Sequence, residues 1–193
     1  INYFLENSSN CPDEATREKY NGVAYFFRAY FYFKMVRQYG DMPWYDYVIG
    51  SSDTESLNKP RDPRGYVMMK VLEDCDKAYE RLPEAWASGP LFHVSKNAAL
   101  ALKARAALFE GTFRKYHKVN PSTNVAWNNQ HGTAHDFLTA CVAASDELMK
   151  SGVFSLHSSY YDLFHNTNIA SSPEAIWWSD YDGGELNRMH ELT

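Results

Sequence analysis

The residues in this chain that could do chemistry fall in three loop patches and one histidine pair. Trp127 stands among Asn124, Asn128, Asn129 and Gln130, a flat apolar ring surrounded by amides. That combination suits a ligand with an apolar face and a polar rim, since ring faces stack and amides both donate and accept. A loop tryptophan is equally able to cover a scaffold without touching a ligand. Tyr181 and Asp182, with Asn187 and Arg188, form a second patch, and Trp44, Tyr45 and Tyr47 form a third. His131 and His135 are four residues apart but straddle a predicted helix start, with no third ligand nearby, so a zinc site is not expected. The sequence has no HExxH, no GxSxG and no glycine-rich phosphate loop. Its 24 acidic residues supply many chance carboxylate pairs, whose separation decides glycoside chemistry and is not readable here.

Helices must position these patches. Asp13, Glu14 and Glu18 favour the start of a long helix near Pro12, which Gly40 and Pro43 end. Tyr20, Val23, Phe27, Tyr30 and Lys34 make one stripe of it, with Phe26, Phe33 and Arg37 alongside, so contact on more than one side is predicted. Phe27 is placed in the core, where truncation to Ala costs roughly 3–5 kcal/mol. Residues 40–65 are turn-rich and too long for a simple connector. A second helix is predicted over 64–82, and a third from the N-cap Ser95 to about Gly111. A polar irregular stretch, 112–132, precedes a capping box at Thr133–Asp136 that opens a fourth helix, closed by Gly152. Residues 174–178 read as a short strand or a packed extended segment.

No element alternates like a strand, so the class is all-α. The helix pairs suggest stacked hairpins of tetratricopeptide type, an α-solenoid-like scaffold with long loops. The formal charge is −5, which disfavours nucleic acid. Hydrophobic residues make up 45%, enough for a core, and no run is long enough for a membrane helix. Cys11, Cys75 and Cys141 are odd in number and lack a CxxC, which argues against a disulfide framework. Cys75 and Cys141 fall on apolar helix faces and are predicted to be buried thiols. Asn7-Ser8-Ser9 matches a glycosylation sequon, a short pattern that recurs by chance. The opening Ile1–Glu6 has no signal-peptide pattern and reads as the tail of a helix.

The order of five motifs then resembles one family. Residues 26–33 followed by 36–43, FFRAYFYF and VRQYGDMP, are similar to the FLRAxxYFxLVRxYGDVP segment of SusD/RagB proteins. The same order continues with LEDCDKA ending in Leu82-Pro83, VSKNAALALKAR, SGVFSL before Tyr160 and Leu163-Phe164, and SPEAIW. The resemblance covers roughly residues 20–178. It implies a starch-utilisation-type glycan-binding lipoprotein, lipid-anchored on the outer face of the outer membrane. It also implies a SusC-like TonB-dependent transporter as partner, to which oligosaccharide is delivered, with no cofactor and no catalysis. Members are longer, so residues 1–193 are expected to be one helical domain from a longer protein, and the N-terminal lipid anchor is expected to lie outside it.

Under that resemblance the patches acquire a ligand. A pyranose offers an apolar C–H face to Trp or Tyr and hydroxyls to amides. Trp127, Asn128, Tyr181, Asp182 and Trp44 are the glycan candidates. Arg28 and Asp41 belong to the motif; they either touch sugar or, with Arg28 deep among aromatics, clamp the loop after the helix. Two other readings stay open. One is a helical scaffold that holds the transporter without touching sugar, and the other is an all-helical glycoside hydrolase.

Overall fold

The structure is a computed structural model that describes residues 1–87, 93–121, 123–165 and 169–178. The described residues form helices α1 (Asn2–Asn7), α2 (Glu14–Tyr39), α3 (Thr54–Leu57), α4 (Arg64–Arg81), α5 (Lys96–Tyr116), α6 (Ala134–Lys150) and α7 (Tyr160–His165). One two-stranded antiparallel ladder, β1 (Val119–Asn120) with β2 (Val125–Ala126), interrupts them. Helix α2 packs on α4, α4 on α5, and α5 on α6. Two helix hairpins are thus stacked through α4 and α5, the all-α, tetratricopeptide-like arrangement.

The long helix begins two residues later than Pro12, because Asp13 caps it by accepting from the Ala15 N–H and the Thr16 hydroxyl. Its buried side is also rotated from the expected stripe. Phe26, Ala29, Tyr32, Phe33 and Val36 are buried, whereas Tyr20, Phe27 and Phe31 are exposed. Phe27, at 38% exposure, is therefore not a core residue. The core continues through Val67, Met68, Val71 and Cys75 of α4, Ala99, Leu102 and Ala106 of α5, and Phe137 of α6. Burial among Asp74 and Asp76 pushes the Cys75 thiol far up, which leaves it an inert hydrophobe. Cys141 is half-buried rather than buried.

Helix α5 passes through Gly111 and ends five residues later, at Tyr116. Gly111 is a contact point between helices and not a stop. A Cβ there would lie 2.8 Å from Leu138 Cγ and 3.1 Å from the Leu138 backbone nitrogen. The helix accepts the glycine so that α6 can approach closely.

Arg28 clamps the structure, but its partner is Asp74 of α4 and not Asp41. Arg28 Nε and Nη2 donate to the two Asp74 carboxylate oxygens at 2.6 and 2.9 Å, with both residues buried. Burial alone would lower the arginine's pKa; the Asp74 hydrogen bonds and charge override it and raise the value. The remaining arm donates to Asn2 Oδ1, and Asn2 Nδ2 donates to the Tyr45 and Tyr47 carbonyls. One side chain thereby ties α1, α2, α4 and the 40–63 segment together. That segment is packed as its length predicts: Met42 bridges Asp62, and Lys59 meets both Asp62 and the Trp44 carbonyl.

Candidate functional site

The 112–132 stretch, expected to be irregular, carries short regular elements among its described residues. Helix α5 supplies its first turn, the β1–β2 ladder follows, and a short 3₁₀ turn (Asn129–His131) leads into α6. Asn128 caps that turn by accepting from the Gln130 N–H. Thr133 and Asp136 then form the expected capping box at α6. The Asp136 carboxyl is held below its ordinary range by the Thr133 N–H and hydroxyl.

Beneath this segment lies a cleft of about 270 Å³, walled by Asp41, Arg64, Asn120, Trp127, Asn128 and His131 among others. Trp127 is half-buried and Asn128 exposed. The structure brings together these two of the predicted residues. The Trp127 ring has the Arg114 guanidinium 4.8 Å from its centroid and the Phe113 ring at 6.0 Å, and its Nε1 donates to the His117 carbonyl. The indole is fixed in place while part of it reaches solvent.

The floor is ionic and buried. Glu110, wholly inaccessible, accepts from Arg64 Nε and Nη2 at 3.0 and 2.7 Å and from Arg114 Nε at 2.7 Å. Arg114 Nη1 donates to the Gly132 carbonyl at 2.9 Å, closing the end of the loop. Gly65 leaves room for this: a Cβ there would fall 2.0 Å from Arg114 Nη2. Asp41, placed just past α2, accepts from the Arg64 backbone N–H at 3.0 Å and from Asn120 Nδ2 at 3.3 Å. Asp41 thus serves α4 and the hairpin, and its expected pairing with Arg28 does not occur. The two arginines and two carboxylates balance, so the cleft presents amides, an indole and an imidazole with no net charge from its walls.

The other candidates lie elsewhere. Trp44 is 3% exposed, its ring 4.3 Å from that of Tyr32 with the Arg28 guanidinium at 5.2 Å. It packs under the 40–63 segment because Pro43 and the Tyr32–Tyr45 hydrogen bonds turn it inward, and its faces are taken. Tyr45 and Tyr47 spend their hydroxyls on Ser56. Tyr181 and Asp182, with Asn187 and Arg188, lie outside the described residues. His131 stands against the Tyr66 ring at 5.3 Å, and the described residues contain no cluster of three or more metal-ligating side chains. Sequence reasoning did not find Arg64, Glu110, Arg114 or Asn120. The Glu110–Arg114 spacing of four on a helix was a usable signal, but Arg64 is 46 residues away and carried none.

A family model described as SusD-like, starch-binding and associating with the outer membrane matches residues 1–108. The chain belongs to the SusD-like family. A curated SusD-like protein P2 of Formosa agariphila is 32% identical over 118 residues, 59% of this chain and 22% of that protein. A solved SusD-like protein from Bacteroides fragilis superposes with TM-score 0.74 at 24% identity, covering 97% of this chain and 32% of the other. A SusD-like carbohydrate-binding protein from Bacteroides vulgatus gives 0.63 at 18%, over 91% and 33%. A structure solved with a xylogluco-oligosaccharide gives 0.62 at 18%, over 97% and 34%. These likenesses bear on the fold. The chain spans about a fifth of the curated relative's length and a third of the solved ones. No helix among the described residues is long and apolar enough to cross a membrane.

Proposed function

We propose that the whole protein is a non-catalytic glycan-binding protein of the cell surface, held at the outer membrane by a lipid and passing oligosaccharide to a SusC-like TonB-dependent transporter. Membership of a starch-binding, outer-membrane-associated family supports the general reading. One observation carries the local one: a fixed, partly exposed Trp127 indole over a cleft edged by Asn120, Asn128 and His131. Such a site offers a pyranose a stacking face and hydroxyl partners, and its uncharged balance suits a neutral sugar. The chain's residues 1–193 supply the helical scaffold and this loop site.

Calorimetry of the full-length protein against a panel of oligosaccharides tests the reading. Trp127→Ala should weaken binding by roughly tenfold or more, the size of one stacked ring. Unchanged affinity with unchanged stability removes this cleft from the site. Silence with every glycan, beside retained transporter co-purification, would establish the helical scaffold reading in its place.

A further inference from the structure

Asp41 is half-buried among the walls of the Trp127 cleft, and its structural role uses only part of it. Pro63, at the cap position of α4, has no side-chain oxygen to offer the first helical N–H. Asp41 supplies one from 23 residues away, Oδ1 accepting from the Arg64 N–H at 3.0 Å. Its other contacts are long: Asn120 Nδ2 lies 3.3 Å from Oδ1 and 3.4 Å from Oδ2. An ionised carboxylate accepts about four hydrogen bonds. Among the described residues Oδ2 has only that 3.4 Å contact, and Asp41 makes no ion pair.

The cations of the cleft are turned elsewhere. Arg64 and Arg114 both direct Nε to Glu110 beneath them. The groups beside Asp41 offer a ligand mainly a ring face and donors. The Trp127 N–H is committed to the His117 carbonyl, which leaves the indole surface. Asn128 Oδ1 accepts from the Gln130 N–H, which leaves the amide's own N–H groups. A sugar hydroxyl also needs an acceptor for its proton, and Asp41 is the one carboxylate among the cleft's described walls.

We propose that Asp41 sets the ligand selectivity of this cleft: Oδ2 accepts from a sugar hydroxyl, and its charge turns away sugars that carry a carboxylate. A hydroxyl donating to a carboxylate makes a charge-assisted bond, about twice as strong as a neutral one. A uronate brings a like charge to the same place. The inference rests on the glycan-binding reading above and deepens it. Asp41→Asn separates the two roles of the residue. The amide keeps an oxygen for the Arg64 N–H, so the start of α4 stays capped, while Oδ2 and the negative charge are lost. One arginine charge in the cleft is then uncompensated.

Calorimetry on the full-length protein tests this with neutral gluco-, galacto- and manno-oligosaccharides, each beside its uronate counterpart. The wild type should bind a neutral member at least tenfold more tightly than its uronate. In Asp41→Asn neutral affinity should fall about tenfold, the loss of one hydrogen bond to a charged group. Uronate affinity should rise in the same variant, most at low salt. If Trp127→Ala weakens neutral binding and Asp41→Asn changes neither affinity, Asp41 is a cap alone: the proposal is overturned and the cleft reading stands. Equal losses for neutral and uronate sugars in Asp41→Asn also overturn it, since a disturbed loop would produce them. If neither variant alters neutral binding, the sugar is held elsewhere and the cleft reading falls with the proposal. If no probe binds, the glycan reading falls as well. Urea unfolding of Asp41→Asn separates a lost contact from a lost fold.

Discussion

Arg64 and Glu110 are 46 residues apart in sequence and meet in the interior, Nη2 to Oε2 at 2.7 Å, at the N-terminal end of α4 and the last turns of α5. Arg114 shares the same carboxylate from one helical turn further on. Removing the acid leaves two guanidinium groups buried without their counterion. Glu110→Ala should therefore lower stability by about 3–5 kcal/mol, the usual penalty for breaking a buried ion pair from one side. Urea unfolding followed by circular dichroism gives the number, and a loss under about 1 kcal/mol would mean that water enters and solvates the arginines.

The two adjacent phenylalanines on α2 should differ sharply. Phe26 is 1% exposed and Phe27 38%. Phe26→Ala should cost about 3–5 kcal/mol, and Phe27→Ala appreciably less, since the exposed ring has less burial to lose. Equal losses would place a further cover over Phe27.

Gly111→Ala sets two effects against each other. Alanine improves helix propensity by about 1 kcal/mol, but its Cβ would meet the Leu138 side chain and backbone nitrogen inside contact distance. The backbone atom has no room to yield, and overpacking of this kind costs about 1–3 kcal/mol. A lower melting temperature is expected, and a higher one would show that α6 slides to accommodate the methyl.

Asp136 gives a pH signature. Its carboxyl is depressed in the folded protein, so its contribution is present above the unfolded value of about 3.9 and disappears as pH falls through the folded value. The stability gap between the wild type and Asp136→Asn should be open at pH 7 and close at low pH. Urea midpoints measured from pH 7 to pH 2 follow it. A gap that stays constant would assign the effect to geometry and not to charge.

Much of this architecture was legible in the residues because local chemistry writes it locally. Ser95, the Thr133–Asp136 box and Gly40 marked helix ends that the structure uses. What failed were the long-range choices. Gly111 reads as a stop unless the neighbour it admits is known, and the aromatic run of α2 has no polar face from which to judge which ring turns inward. Trp127 could be singled out as a loop aromatic among amides. Trp44 looked the same by composition, and only the Tyr32–Tyr45 hydrogen bonds and Arg28 send it to the core. The ionic floor under Trp127 joins residues from two helices, and no spacing rule connects them.

The hairpin carrying Trp127 is fastened at its two roots, by the Trp127 indole to His117 and by Arg114 to Gly132. Between those fastenings Asn120 adds one more tie, donating to Asp41 beside the start of α4. The exposed side chains at 123–126 can therefore change at little cost to the fold. Under the proposed reading, ligand preference becomes an exchangeable cassette mounted on the helical frame.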